Sequence, residues 1–504
     1  MPGHPPFQLF NTLSGEVQPL APLEPDHLRM YTCGPTVYSH AHIGNFRTFL
    51  TSDLIVRTAQ AIGWKTTYVS NITDVGHLTE DDYADAGGED KMARALRSKE
   101  GARFANVWDL ARFYTESLLD DWSMLNLRAP DVRPRATEHV TQQIEAIERL
   151  IALGLAYETE SGVYFSVGSF PGYGKLSGND SAEQLERAVR DVVVDPSKRD
   201  PRDFALWKKD EKHLMQWYSP FGRGFPGWHI ECSVMSMQYL GPQLDLHAGG
   251  EDLIFPHHEC EIAQSEGLTG RPFATLWAHT RFLQVEGEKM AKSKGNFFTV
   301  KDLTAPASEG GKGIDPLALR LALLSGQYRK PFNFTFKNVN DCTRIVGRYR
   351  DALALADAAI AAGEPGEDRL SDRLDAIYER TLHALLDDLN TPEALAAALE
   401  GVKLIHGMKP LNAASGGRAR TWLERVNALL GFLWHEGQRP APAAEPEVDP
   451  LSERIDALVS ERSAARRTRD FSRADALRAE IEALGVEVMD NPSGTTWRKK
   501  AGID

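Results

Sequence analysis

Cysteine is scarce in this sequence: Cys33, Cys232, Cys260 and Cys342 are the four in 504 residues. So few thiols in so long a chain exclude a disulfide framework, and a cytoplasmic protein is expected. Basic charge is also short. Lys and Arg number 57 against 71 Asp and Glu, a net charge of −14. That excludes indiscriminate nucleic-acid binding and leaves any nucleic-acid partner to a local basic face. No apolar run is long enough to span a bilayer, so no membrane partner is expected. The opening MPGHPPFQLFNTL has no basic stretch followed by an apolar core, and no secretory signal is expected. Repeats at solenoid periods are absent. What remains is an ordinary globular composition, 42% hydrophobic and 25% charged, with length for about two to four domains.

The first half mixes short β-prone runs with amphipathic helices. Leu28–Cys33 (LRMYTC) and Lys65–Thr73 (KTTYVSNIT) read as strands. Between them FRTFLTSDLIVRTAQAIG reads as a helix, with Phe49, Leu50, Leu54, Ile55 and Ala59 on one side and Gly63 at its end. Strand, Gly-containing turn, helix and strand make a βαβ unit, so an α/β fold with a parallel sheet is expected. Leu244–Gly250 and Thr275–Gly287 are further strand candidates. Residues about 129–210 read as an α/β insertion, opened by a helix over His139–Leu153. From about Asn338 to Trp434, Ala- and Leu-rich periodic segments predict a helical bundle. Residues 435–450 are a Pro/Ala/Glu linker, and 451–504 a small mixed domain. That last domain reads as one long helix bearing Arg466, Arg469 and Arg473, then a short strand, a turn and the basic end Arg498–Lys500. The expected division is thus 1–337, 338–434, 435–450 and 451–504.

Three parts of the sequence carry chemistry, the third in two separate runs. In CGPTVYSHAHIGNFR (Cys33–Arg47), a strand turns into a helix at His42-Ile-Gly-Asn45. Gly44 lets backbone approach a ligand, the helix N-terminus favours phosphate oxygens, and His42 can donate to them. Taken alone, these four residues read first as a capped turn with surface histidines. Far downstream, EKMAKSKGN (Glu288–Asn296) gathers three lysines with Ser, Gly and Asn. Most Lys-rich loops are simply solvated, but such a segment can stabilise charge developing on a polyphosphate. The third part holds metal-ligand types: Cys232 in GWHIECSVM and His257, His258, Glu259, Cys260 and Glu261 in DLIFPHHECEIAQSE. His257 and Glu261 are i, i+4 on a helix and share a face. With Cys33 and Cys232 they can form a zinc site of two sulfurs, one nitrogen and one carboxylate. Cys260 is turned away from that face by about 100° per residue. His258-Glu-Cys-Glu-Ile262 lacks the second His of HExxH, so this is no zincin. His257-His-Glu259 fits HxE, but no Cys-x-x-Cys exists, so it is no nucleotide deaminase.

The pair HIGN and KMAKS, about 250 residues apart, resembles the HIGH and KMSKS signatures of class I aminoacyl-tRNA synthetases. Asn45 stands for the second His and Ala291 for the first Ser. CGPTVY…HIGN, NITDVG, GWHIECS, GGEDLIFPHHECE, KMAKSKGNF and NPSGTTWRKK follow the order seen in cysteinyl-tRNA synthetases, from about Phe7 to Lys500. The resemblance implies a Rossmann-like catalytic domain, an inserted α/β module, a tRNA-binding helical bundle and a C-terminal anticodon-recognition domain. It implies one Zn²⁺ held by Cys33, Cys232, His257 and Glu261, positioned to take the substrate thiolate. It implies catalysis by His42, Asn45, Lys289 and Lys292, with ATP bound by His42, Gly44, Asn45 and above all Lys292, and Mg²⁺ accompanying ATP. Thr36, Thr73, Trp228, His247 and Asp252 would surround the amino acid, Asp252 facing its ammonium. The expected partners are L-cysteine, ATP and tRNA(Cys), and a monomer is expected. Two alternatives are a ligase joining cysteine to an amino sugar in thiol-cofactor synthesis, which would lack the region after Asn338, and a non-catalytic zinc-containing tRNA-binding relative.

Overall fold

The strand β3 (His27–Thr32) and the helix Ile43–Ala61 frame the architecture. A hairpin of β1 (Gln8–Asn11) and β2 (Glu16–Pro19) precedes them, and β4 (Lys65–Ser70) follows. The computed structural model describes residues 4–76, 78, 89–179, 195–435, 450–467, 470–484, 486–491 and 494–499. Helix Ile43–Ala61 is buried along most of its length, with Phe46, Phe49, Leu50, Leu54 and Ile55 in the core. It ends at Ile62, and Gly63 takes φ +88°, a conformation that suits glycine.

The insertion contains helix Val140–Ala152 and the antiparallel strands β5 (Ala156–Glu158), β6 (Gly162–Phe165), β7 (Phe204–Lys208) and β8 (Phe225–Pro226). Its sheet therefore closes beyond Asp210, where the sequence placed its end. A two-residue strand carries no alternation to read, and only its pairing with Trp207 and Lys208 defines it. Helix Trp228–Leu240 returns the chain to the main sheet, where β9 (Leu244–Gly250) and β10 (Ala274–Thr280) flank helix Glu259–Thr269. The main sheet has the order β10-β9-β3-β4, all parallel. Its strands are fed by helical crossovers and are largely buried, the usual state of a parallel sheet. The run Thr275–Gly287, expected as one strand, is two. After Thr280 the chain leaves the sheet, and β11 (Leu283–Val285) pairs with β12 (Glu288–Lys289) and β13 (Phe332–Phe334). The lysine-bearing segment hangs from this second, small sheet.

Helices Phe336–Ala362, Ser371–Leu386, Thr391–Gly407 and Ala413–Leu430 make the helical region. Thr335, Asn390 and Asn412 accept backbone N–H bonds at three N-termini. A buried ionic group joins this region to helix Ile43–Ala61. Arg57 Nε donates to Asp53 at 2.8 Å, and Arg320 also donates to Asp53. Their remaining nitrogens reach the carbonyls of Ala428, Asn126, Leu430 and Leu125 at 2.8–3.0 Å.

Cα packing divides the chain into Met1–Arg439 and Pro440–Asp504. In the second unit, helices Pro450–Arg467 and Phe471–Ala483 precede a hairpin of β14 (Val486–Asn491) and β15 (Gly494–Lys499). Ile455, Val459, Ile481 and Val486 form its core. The single long helix expected from the sequence is two helices. Asp470 caps the second, accepting from Arg473 N at 3.0 Å. Residues 436–449 of the linker, Arg469 and Lys500 lie outside the described residues. Among the described residues, no helix is long and apolar enough to cross a membrane.

Candidate active site and metal centre

The C-terminal ends of β3, β4 and β9 deliver Cys33, Asn71 and Gly250 to one crevice, the usual place for a ligand in an open parallel sheet. The turn after β3 is locked by Asn71, whose Oδ1 accepts from Gly34 N at 2.7 Å. A Cβ on Gly34 would fall 1.7 Å from the Asn71 carbonyl oxygen, so the turn requires glycine. A cavity of about 400 Å³ opens there, and its walls include Cys33, Thr36, His42, Asn45, Trp228, Asp252 and Lys292.

His42 is the N-cap of helix Ile43–Ala61. Its Nδ1 accepts from Asn45 N at 3.2 Å, while Asn45 Oδ1 accepts from His42 N at 3.1 Å. This reciprocal cap gives Asn45 a structural task that a sequence motif does not display. Burial holds His42 at about 4, and Lys292 pushes the same way. His42 is therefore neutral near pH 7, and because Nδ1 accepts, Nε2 carries the proton and can donate. Gly44 sits at the meeting of both motifs: a Cβ there would lie 2.9 Å from the His42 ring and 3.1 Å from the Met290 methyl. The lysine segment is seated on the same helix start. Ile43 N donates to Phe298 O at 3.0 Å, and the Phe297 ring lies 5.1 Å from the His42 ring and 5.1 Å from Lys292 Nζ.

Behind Cys33 lies a buried polar cluster. Cys33 Sγ is 3.7 Å from Cys232 Sγ and 3.3 Å from Glu261 Oε1, and His257 Nε2 is 3.1 Å from the same oxygen. Ligand atoms about 2.0–2.3 Å from a tetrahedral zinc lie about 3.3–3.8 Å from one another. Two thiols, an imidazole and a carboxylate at these separations fit Zn²⁺ in donor type and in size. The electrostatics agree. Burial pushes the Cys33 thiol well up, with Cys232 and Glu261 adding to it. Cys232 is held at about 6: burial opposes this, but hydrogen bonds from Cys33 and His257 prevail. Glu261 is held at about 2 against its burial, by His247 and His257. A cation at the focus would stabilise the ionised Cys232 and Glu261 and favour ionisation of Cys33. A second grouping, Cys33, His247, His258 and Glu261, also has ligand atoms within 4.8 Å of one another. It shares Cys33 and Glu261 with the first, so the two are parts of one cluster.

The structure sorts the sequence-derived candidates. Cys33, Thr36, His42, Asn45, Trp228, Asp252 and Lys292 meet at one cavity, and Cys232, His257 and Glu261 meet behind it. Among the described residues, Thr73 and Lys289 are not part of the cavity wall. Thr73 is buried behind the Gly34–Thr36 turn, its Oγ1 accepting from Asn71 Nδ2 at 3.0 Å. Lys289 stands on the exposed strand β12. His247 is fully buried, its Nε2 2.9 Å from Glu261 Oε2 and its ring stacked on Trp277 at 4.5 Å. It lies behind the cluster against Glu261 instead of facing the cavity. Sequence reasoning counted His258 among the ligand types without giving it a place in the site, and missed Lys91. His258 Nε2 lies 3.3 Å from Cys33 Sγ and its Nδ1 2.8 Å from His279 Nε2. The doubled His of FPHHE was the signal, but adjacent positions cannot be ranked without a fold. Lys91, 8% exposed, lines the cavity from helix Lys91–Arg97.

Comparison with solved structures places the fold. Mycobacterium tuberculosis methionyl-tRNA synthetase with methionyl-adenylate aligns over 80% of this chain and 92% of its own at 15% identity and TM-score 0.53. A LeuRS–tRNA–LeuAMS complex from Agrobacterium radiobacter K84 aligns over 82% and 84% at 11% identity and TM-score 0.58. The architecture is that of the class I aminoacyl-tRNA synthetases. Residues 19–344 match the family described as the tRNA synthetases class I (C) catalytic domain, and residues 448–498 the cysteinyl-tRNA ligase anticodon binding domain. Cysteine–tRNA ligase of Salinibacter ruber is 60% identical over 99% of both chains, and that of Thermus thermophilus 42% identical over 97% of this chain and 98% of its own. The chain belongs to the cysteine–tRNA ligase family.

Proposed function

We propose that this enzyme activates L-cysteine with ATP and transfers it to tRNA(Cys), recognising the substrate thiolate through zinc. The cysteine carboxylate attacks the α-phosphorus of ATP, forming cysteinyl-adenylate and releasing pyrophosphate. A hydroxyl of the terminal tRNA ribose then attacks the acyl carbon and AMP departs. No covalent enzyme intermediate is needed, and catalysis is positioning and charge stabilisation. Asp252 faces the substrate ammonium. His42 Nε2–H and the N-terminus of helix Ile43–Ala61 donate to phosphate oxygens, where Mg²⁺ accompanies ATP. Lys292, with Lys289 on the same segment, offsets charge on the departing pyrophosphate. Cys33, Cys232, His257 and Glu261 would hold the zinc, with His247 orienting Glu261. Bound there, Zn²⁺ supplies a position that favours a soft thiolate over a hydroxyl.

The observation that carries this reading is the buried Cys/Cys/His/Glu cluster directly behind the wall that presents His42, Asn45 and Lys292. Size alone separates substrates differing by one small group only about 10–200-fold, so a sulfur-selective site answers the need without an editing module. The test is cysteine against serine binding by the metal-stripped, folded protein. Loss of the cysteine preference is expected, and full retention would make the metal structural only.

The unit Pro440–Asp504 is taken to read tRNA, which the anticodon-binding match supports and which disfavours an amino-sugar ligase. Truncation after about Pro446 is expected to keep pyrophosphate exchange and weaken charging. We assign the enzyme to the cytoplasm as a monomer, which light scattering on the purified chain checks.

A further inference from the structure

The segment bearing Lys289 and Lys292 is held at both ends on elements of the site. Its far end is tied at Phe298 to Ile43, as described above. Its near end, Arg281-Phe282-Leu283, is the passage from β10 to β11. There Arg47, one helical turn beyond His42, is buried and donates to the carbonyls of Arg281 at 2.5 Å, Gln327 at 2.9 Å and Lys330 at 3.3 Å. Its guanidinium lies 5.0 Å from the centre of the Phe332 ring. The other grip comes from Glu251, next to Asp252 on the turn after β9. Glu251 Oε1 accepts from Phe282 N at 2.5 Å, and its Oε2 is paired with the Arg281 guanidinium. Glu251 is 11% exposed, Arg281 56%.

One short turn therefore carries two carboxylates with different duties. Asp252 lines the cavity, and Glu251 reaches out to the root of the lysine segment. We propose that Glu251 is a positioning residue for adenylation: it fixes the near end of the lysine segment to the turn that bears Asp252, so that Lys292 is registered against the amino-acid site. Its charge also faces the buried Arg47 guanidinium and favours its ionised form, so the thermal midpoint is read beside activity. One of its partners is a half-exposed arginine, and exposed pairs contribute little to stability. Geometric registration is a different matter, since a displacement of about 1 Å at a reacting centre costs up to about 100-fold in rate.

The inference rests on the proposed contact of Lys292 with ATP. The test uses the zinc-loaded full-length enzyme and reads cysteine-dependent pyrophosphate exchange, cysteine binding by equilibrium dialysis without ATP, and the thermal midpoint. E251Q keeps an acceptor for Phe282 N and loses the charge opposite Arg281. R281A removes the partner from the exposed side and cannot create a core defect. Both are expected to lower exchange kcat/KM for ATP about ten- to a hundredfold, with cysteine affinity and thermal midpoint unchanged. R281K should restore most of the loss, and the double variant should be no worse than the poorer single one. Exchange at the parent level in both variants overturns the inference. So does a matching loss of cysteine affinity, or multiplication of the two effects in the double variant. Parent-level exchange in K292A would instead remove the ATP contact on which the inference stands.

Discussion

Two buried clusters of charge in the unit Met1–Arg439 invite comparison, because one is enclosed and the other opens through Cys33 to the cavity, and they are built on opposite terms. Around Asp53, every nitrogen of Arg57 and Arg320 has an acceptor, and Asp53 Oδ1 also accepts from Arg128 N at 2.8 Å. The acceptors lie around the perimeter, and no focus is left between them. Around Glu261, two thiols and several imidazoles converge on one small volume, and His247 Nδ1 is buried without a partner. A closed network of charge-assisted bonds has finished its work when the chain folds. A convergent set of soft and titratable donors has not, and a bound cation would complete it. Burial and polarity alone therefore do not mark a functional site. The direction in which the lone pairs point does.

The sharpest way to break the comparison is to remove one member of each cluster. Arg320→Ala leaves Asp53 buried beside one arginine and is expected to lower stability by about 3–5 kcal/mol, measured on the main thermal transition. Metal content should stay at the parent level. Cys232→Ser should do the reverse, emptying the metal site by elemental analysis while the fold persists in circular dichroism. Equal stability losses in the two variants would dissolve the distinction. A smaller effect is expected from Lys292→Ala, which lies in an exposed turn. Pyrophosphate exchange should fall by about 10²–10³ with the thermal midpoint unchanged, and a joint loss of midpoint and activity would mark the residue as structural.

The smallest effect is in pH. Although burial opposes its ionisation, Arg57 and Arg320 hold Asp53 at about 2, below its ordinary 3.8. A carboxyl depressed in the folded state stabilises it fully above the unfolded value. That contribution, about 2 kcal/mol, is lost as pH falls from about 4 through about 2. Asp53→Asn should flatten this part of the stability–pH curve, and an unchanged slope would show that the acid loss arises elsewhere.

The chemistry of the site was legible because its residues are unusual where they stand. Taken singly, Cys232 and the His257–Glu261 pair read as packing or solvated charge, and it was the resemblance carried by GWHIEC and FPHHE that grouped them; the structure brings Cys33, Cys232, His257 and Glu261 within 4.8 Å of one another. The βαβ start was legible through periodicity. What escaped reading depends on pairing across long separations. β8 exists only through its register with β7. The Asp470 break was hidden by a helical pattern that continues on both sides. His247 reads as a strand-end histidine until Glu261 is placed against it. Arg281 reads as surface charge, and nothing local ties it to Glu251.

The two ends of the metal cluster are also far apart in time. Cys33 precedes Glu261 by 228 residues, roughly 10–45 s of synthesis at about 5–20 residues per second. During that interval its thiol has no complete set of partners, whereas in the folded protein it is only 6% exposed. An oxidant that the finished enzyme resists can therefore claim Cys33 on the nascent chain. The yield of active enzyme would then follow the redox state of the cell at the moment of translation, while the turnover of each finished molecule would not. Brief oxidant pulses applied during or after a burst of expression separate the two, and equal damage in both windows would show that the finished fold gives the thiol no shelter.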